Sequence, residues 1–133
     1  MRVRAAMAGF AALATVSGAD AAPAPPRVGP TCGPVPAGWI TSRPDRSQIV
    51  NTIVIYDKAP GPMTRSNPPT WNGGSVNAGQ LHEYVGITKQ MRPVPTLLLV
   101  VSPKADCAEV QFVRKLVDDA LDCGRDQCVE VAP

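Results

Sequence analysis

Aromatic side chains, histidine and clustered positive charge are all scarce in this sequence. Aromatic residues make up 5% of the chain, there is one histidine, and the formal net charge at neutral pH is +2. So few aromatic residues argue against a surface that stacks on bases or sugars. A charge this near neutral, with no cluster of Lys and Arg, excludes a typical nucleic-acid or acidic-lipid binder.

No apolar run in the sequence is long enough to cross a bilayer. Arg2 and Arg4 precede the run Ala5–Val16, which is short of the ~20 residues that a membrane-spanning helix needs. Ala19-Asp20-Ala21 then supplies small residues at the two positions that a signal peptidase reads. This layout predicts a cleavable signal peptide over residues 1–21, export to a bacterial periplasm, and no transmembrane segment in the mature chain. An uncleaved membrane anchor is the alternative.

Proline and small residues dominate residues 22–46, which we name the N-terminal arm. Proline fixes φ and lacks an N–H, so the arm is predicted to be extended and semi-rigid rather than helical or part of a central strand. The ordered domain, residues 47–133, is then expected to begin near Ser47.

The sequence has four cysteines but no Cys-x-x-Cys motif. An even number of cysteines in an exported chain predicts disulfides, and four cysteines allow three pairings. Cys123 and Cys128 flank a short turn-like span that tolerates ring closure, and this would leave Cys32 and Cys107 to tether the arm. A zinc site is disfavoured because the single histidine, His82, is far from every cysteine in the sequence.

Three stretches predict strands, and one Asn-Gly pair predicts a turn. Gln48–Tyr56 is rich in β-branched residues, Thr96–Val101 is apolar throughout, and Val129–Val131 alternates. The continuous apolar run is typical of a strand that is largely covered on both faces. Asn72-Gly73 predicts a tight turn, with a short strand that enters it at Trp71.

Two helices are predicted from their capping residues. Asn77 and Gln80 form a capping box at the start of the first helix, Asp106 and Glu109 form one at the second, and Gly124 is the expected C-terminal glycine. The predicted apolar stripes are Leu81, Tyr84, Val85 and Thr88 in the first helix and Val110, Val113, Val117, Ala120 and Leu121 in the second. The β-α-β-α-β order predicts an α+β fold, a two-layer sandwich of a mixed sheet with both helices on one face.

Three stretches between residues 49 and 131 match a known arrangement. Trp71–Val76, followed by Gln80-Leu81, is similar to a strand-to-helix segment. Pro95–Ala105 is similar to a central strand and the polar turn after it, and Val110–Val117 lies where a second helix is found. Together they resemble the periplasmic domain of the ExbD/TolR biopolymer-transport family.

The resemblance implies a role beside a proton-driven inner-membrane motor that passes energy toward the outer envelope. It implies dimers, contact with a TonB-like protein or a motor subunit, and in some members binding to peptidoglycan. The sequence departs from the family at its N-terminus. The family's proton-carrying aspartate lies within a transmembrane helix, whereas Asp20 follows the apolar run of a signal peptide, so no catalytic role is carried over.

No residue is predicted to be catalytic or to bind a cofactor or metal. His82 is expected to be an ordinary surface residue, since the sequence places no nucleophile near it. Asp118-Asp119 and Asp122 are expected to form a solvated face. Trp71 is the predicted partner-binding residue because an aromatic side chain at a sheet edge can anchor a partner. Closure of one end of the core by Trp71 is the alternative.

The sequence therefore predicts an exported, non-enzymatic interaction domain that binds an envelope protein or the cell wall. Strand addition to a free sheet edge, or dimerisation through one, is the predicted mode. The alternative is a small secreted thiol-redox factor or enzyme that uses Cys107 or the Cys123–Cys128 pair. A third hypothesis is a disulfide-stabilised protein with a purely structural or inhibitory role.

Overall fold

The computed structural model describes residues 31–58 and 67–133. The predicted signal peptide, residues 1–21, and the first part of the arm, residues 22–30, lie outside the described residues. Within the described ranges, no helix has the length and apolar character needed to cross a membrane.

Five strands form one mixed sheet. They are β1 (Val50–Ile55), β2 (Thr70–Trp71), β3 (Gly74–Ser75), β4 (Thr96–Val101) and β5 (Cys128–Val131), and their order across the sheet is β3-β2-β1-β4-β5. β4 pairs in parallel with β1 and β5, whereas β2 runs antiparallel to both β1 and β3. The α+β class is confirmed, and the β2–β3 hairpin is added to the predicted element order.

The helices begin where their capping residues predict. In α1 (Ala78–Gln90), the Gln80 amide donates to Asn77 Oδ1 at 2.8 Å and the Asn77 amide donates to Gln80 Oε1 at 3.0 Å, which confirms the capping box. In α2 (Cys107–Ala120), Asp106 is the N-cap as predicted, and the Ala108 amide donates to its Oδ1 at 2.9 Å. The predicted capping box with Glu109 is wrong, because the Asp106 side chain caps the amide of Ala108 and the Glu109 side chain makes no return contact. These contacts satisfy amide donors that have no partner inside the helix.

The prediction that Gly124 is the C-terminal glycine of the second helix is wrong. The C-cap of α2 is Leu121, which has an extended backbone, and Gly124 lies within a single 3₁₀ turn, Cys123–Arg125. The Leu121 side chain is buried, and its amide still donates to the carbonyl of Val117. The helix therefore ends at Leu121, whose side chain packs in the core, three residues before Gly124.

Both helices pack on the same face of the sheet. The main core joins that face to the apolar stripes of the helices, and its most buried members are Ile53, Ile55, Leu81, Val85, Leu97, Leu99, Val110, Val113 and Val117. Leu98, Val100 and Val129 form a smaller cluster on the second face. All six residues of β4 are buried, as the continuous apolar run predicts.

The packed structure begins before the predicted boundary at Ser47. Trp39, within the N-terminal arm, belongs to the main core. Ile40 makes a parallel bridge with Val129 of β5: its amide donates to the Cys128 carbonyl, and its own carbonyl accepts from the Glu130 amide. The prolines of the arm led to the prediction that it lies outside the ordered domain. Burial of the large apolar ring of Trp39 is favourable, and it brings this part of the arm into the core.

Candidate partner-binding surface

The predicted partner-binding residue, Trp71, lies next to the first helix. It ends β2, is half-buried, and packs against the main core. Its ring centroid is 5.6 Å from that of Tyr84 on α1, with the planes tilted by 47°. Such tilted aromatic pairs are favourable. Trp71 therefore contributes to one end of the core while part of its side chain stays accessible to solvent.

Apolar side chains continue this accessible area along α1. Ile87 follows Tyr84 by three residues and Met91 follows it by seven, so the three lie on one side of the helix. Ile87 and Met91 are 49% and 43% exposed. We name Trp71, Tyr84, Ile87 and Met91 the hairpin-side surface. Single exposed apolar residues are ordinary, whereas a continuous group of them is typical of an interface.

Hydrogen bonds hold the hairpin that carries Trp71. Asn72 has a positive φ of 47°, as a tight turn of this kind requires. Its Oδ1 accepts from the Thr52 amide at 2.7 Å, and its Nδ2 donates to Asn51 Oδ1 at 3.0 Å. Asn51 in turn donates to Thr88 Oγ1 of α1 at 3.0 Å. The hairpin is thus fixed both to β1 and to the helix beneath Trp71.

The two edges of the sheet differ in what covers them. The edge at β5 is occupied by Ile40. The edge at β3 consists of Gly74 and Ser75, which are both exposed and have no strand on their outer side among the described residues. A free strand edge accepts another strand through its backbone. The free edge described here is short and lies beside Trp71.

Both predicted disulfides are present. One joins Cys32 to Cys107 and the other joins Cys123 to Cys128, so no cysteine of the chain is free. Cys123 and Cys128 are buried, whereas Cys107 is exposed. Two disulfides are consistent with an oxidising, extracytoplasmic compartment.

A buried ion pair that the sequence analysis did not find holds the N-terminal arm. Arg114 of α2 and Glu130 of β5 are 2% and 4% exposed, and they form two hydrogen bonds of 2.8 and 2.6 Å. The guanidinium also donates to four consecutive backbone carbonyls of the arm, over residues 31–34. Every donor is therefore directed at an acceptor, which offsets the cost of burying the charge.

Other polar residues of α2 also face the arm. Gln111 Nε2 donates to the Cys32 carbonyl at 2.9 Å, and Trp39 Nε1 donates to Asp118 Oδ1 at 2.9 Å. With Cys107 and Arg114, these residues recur at spacings of four, three and four, which is one side of a helix. This stripe of polar residues, next to the apolar stripe of α2, was the sequence signal that could have identified the side of the helix that contacts the arm. Asp118 is exposed, as expected of a solvated face, and it also accepts this specific hydrogen bond from the arm.

The remaining candidates do not form a catalytic group in the structure. His82 is exposed on α1, as expected, and lines a groove between the helices rather than facing a nucleophile. Asp119 pairs with Lys115 on the surface, which raises the pKa of Lys115, and Asp122 lies 3.6 Å from Arg125. Among residues 31–58 and 67–133, no three His, Cys, Asp or Glu side chains converge as a metal site would require.

Charges at the start of α2 follow from helix geometry. The amide of Ala108 and the ammonium of Lys58 lower the pKa of the Asp106 carboxyl group. Partial burial, followed by the charge of Asp106, raises the pKa of Glu109. A carboxylate at a helix N-terminus is stabilised by the amides there, and this explains the lowered pKa of Asp106. The raised pKa of Glu109 has the opposite sign because burial and a neighbouring negative charge disfavour its carboxylate.

Comparison with known proteins adds no relative to this description. No family model matches the chain, and no curated protein or solved structure is significantly similar to it.

Proposed function

We propose that the chain is an exported, non-enzymatic interaction domain of the periplasm whose shape resembles the periplasmic domain of the ExbD/TolR family. Its partner is an envelope protein, either TonB-like or a motor subunit, or peptidoglycan. The observation that carries this proposal is the hairpin-side surface, where Trp71 lies beside the free edge at β3 and packs on Tyr84, with the exposed Ile87 and Met91 further along the same side of α1.

The binding mode follows from that combination. An extended segment of a partner would pair with the backbone of Gly74 and Ser75. Because those two residues offer few hydrogen bonds, apolar contact must supply the rest of the affinity. Trp71 and Ile87 are placed for that contact, and large apolar anchors contribute most at protein interfaces.

In-cell photo-crosslinking tests this proposal. The complete chain, with residues 1–21, carries a photoreactive residue either at Ser75 or at Arg125, which is exposed on the turn before β5. We expect Ser75 to capture a TonB-like protein, a motor subunit or peptidoglycan, and Arg125 to capture none of these. Equal capture at both positions, or none at Ser75, would contradict the proposal.

Surface variants add a matched control. Ile87→Lys is expected to lower the crosslinking yield at Ser75 by at least about fivefold, because a charge replaces an apolar contact. Phe112→Lys changes a side chain of the same 49% exposure on the other helix and is expected to leave the yield unchanged. If Phe112→Lys lowers the yield as much as Ile87→Lys does, the hairpin-side surface is not the binding site.

The thiol-redox alternative is tested separately. It requires a reactive thiol at Cys107 or at the Cys123–Cys128 pair, and these residues lie in disulfides, one of them buried. Thiol titration of the native protein is expected to detect no free thiol, and mild dithiol treatment to leave the Cys123–Cys128 bridge intact. A rapidly reacting pair there would favour the redox function instead.

A further inference from the structure

The two disulfides of the chain differ in how easily a reagent in solution can reach them. Cys123 and Cys128 are 4% and 0% exposed, and both belong to the main core. Cys107 is exposed at the start of α2, and its partner Cys32 is half-buried. A thiolate must reach a sulfur atom of a disulfide in order to reduce it. The Cys32–Cys107 bridge is therefore the one that is open to exchange with a reductant.

The place of Cys107 in its helix also favours the reduced form of this bridge. Cys107 is the first residue of α2, directly after the N-cap Asp106. The amides at a helix N-terminus stabilise a thiolate, and a stabilised thiolate makes the disulfide easier to reduce. The carboxylate of Asp106 opposes this effect, but its charge is partly balanced by the ammonium of Lys58, 3.4 Å away.

The bridge holds the first part of the N-terminal arm. Residues 31–34 contact α2 through their backbone carbonyls, which accept hydrogen bonds from Arg114 and, at Cys32, from Gln111. Val35 adds a half-buried apolar contact with the main core. Water can replace the hydrogen bonds to the carbonyls once the segment is free to move. Apart from its disulfide, this part of the arm is held mainly by exchangeable polar contacts.

The second part of the arm is held independently of the bridge. Trp39 is 7% exposed in the main core, and its indole donates to Asp118. Ile40 is joined to β5 by two backbone hydrogen bonds. A turn at Ala37-Gly38 separates these two anchors from residues 31–34. The arm can therefore open at one end while the other end stays in place.

We propose that the Cys32–Cys107 bridge is a redox-sensitive latch. Its reduction by a dithiol releases residues 31–36 from α2 and opens the buried Arg114–Glu130 pair to solvent, while Trp39 and Ile40 keep the rest of the arm on the sheet. This inference goes beyond the proposed function, because the latch lies away from the hairpin-side surface. It also differs from the thiol-redox alternative, because the two thiols control the position of the arm and catalyse nothing.

The reduction is balanced by oxidation of the dithiol. One thiolate of the reductant attacks the sulfur of Cys107, the bond to Cys32 breaks, and its electron pair leaves with Cys32, which takes up a proton. The second thiol of the reductant then attacks the mixed disulfide and releases Cys107. Two electrons and two protons have passed to the chain, and the reductant ends as a disulfide.

Thiol mapping tests whether the latch opens selectively. The mature, disulfide-bonded chain is treated with dithiothreitol, quenched with iodoacetamide at successive times and analysed by peptide mass spectrometry. We expect Cys32 and Cys107 to be alkylated at least about tenfold faster than the buried Cys123 and Cys128. Equal rates at the two bridges, or faster reaction at Cys123 and Cys128, would overturn the proposal.

Hydrogen exchange followed by NMR tests what the latch releases. In the selectively reduced and alkylated chain, the Nε hydrogen of Arg114, which is bonded to Glu130, is expected to exchange at least about tenfold faster than in the oxidised chain. The exposed guanidinium of Arg125 is the matched control and should exchange rapidly in both forms. The amide of Ile40 and the amides of β4 are expected to stay protected.

Two outcomes of the exchange experiment would contradict the latch. Unchanged exchange at Arg114 would show that residues 31–36 stay bound to α2 without the bridge. Loss of protection throughout β4 would show that reduction unfolds the whole domain, so that the opening is not local. Both experiments are independent of the crosslinking test at Ser75, so either proposal can fail without the other.

Discussion

The two sides of α2 differ in how strongly their side chains are engaged by the rest of the fold. The side toward the N-terminal arm is polar, and its side chains are buried or end on specific acceptors: Arg114 and Glu130 pair beneath the backbone of residues 31–34. The side toward α1 is exposed and mixed: half of Phe112 meets solvent beside a groove that Lys115 and Asp119 also line, and the ion pair of these two residues is open to solvent. The difference separates contacts that hold the fold together from contacts available to a partner.

The largest expected effect comes from removing the covalent link on the arm side. Replacing Cys32 and Cys107 with Ser opens a bridge between residues 75 positions apart, which on the chain-entropy model costs about 4–5 kcal/mol of unfolding free energy. Urea unfolding measures the loss. Opening the Cys123–Cys128 bridge, which spans 5 positions, is expected to cost only about 2 kcal/mol on the same model. Equal losses would mean that the arm is not restrained by its disulfide.

The buried ion pair gives the next effect. Glu130→Ala leaves the Arg114 guanidinium buried without its carboxylate, and such a change costs about 3–5 kcal/mol. The matched control is Asp119→Ala, which breaks the exposed pair with Lys115 at a cost of under about 1 kcal/mol. Chemical unfolding of both variants compares the two sides of α2 directly. Similar losses would contradict the distinction between them.

Two neighbouring aspartates sharpen the comparison further. Asp118 accepts the indole hydrogen bond of Trp39, so Asp118→Ala is expected to cost about 1–1.5 kcal/mol. Trp39 fluorescence should also change, because the ring loses its polar partner. Asp119→Ala, one residue along, should leave the fluorescence unchanged. If both variants behave alike, the arm is not anchored through Asp118.

The smallest effect concerns pH at the start of α2. The amide of Ala108 and the charge of Lys58 hold the pKa of Asp106 below 3.8. Because the pKa is lower in the folded state, its contribution to stability is complete above the unfolded value and is lost as the pH falls through the folded value. NMR titration should place the Asp106 midpoint below 3.8. A midpoint above that value would contradict the capping contact.

Local signals predicted much of the fold. The Asn77–Gln80 box, the Asn72-Gly73 turn and the continuous apolar run of β4 each act over a few residues, and each is found where expected. Composition was misleading in the N-terminal arm. Over residues 31–46, the described part of the arm, the prolines correctly exclude a helix, but they give no indication that Trp39 enters the core.

The arm-side contacts were beyond prediction because they join distant parts of the chain. Arg114 meets backbone carbonyls about 80 positions earlier in the sequence, and nothing local marks which arginine is buried. Glu130 was part of an alternating strand whose polar residue is usually assigned to solvent, whereas it faces α2. For the candidate surface, the position of Trp71 in a hairpin was predictable, but its pairing with Tyr84 depends on how α1 crosses the sheet.

The bridge between Ile40 and Val129 has a consequence for the order of folding. It places the beginning and the end of the described chain side by side, in the same sheet. β1 and β4 can pair without the C-terminal strand, but this contact requires β5. Contacts between residues so far apart slow folding. The arm can therefore reach its native position on the sheet only after the last strand has formed.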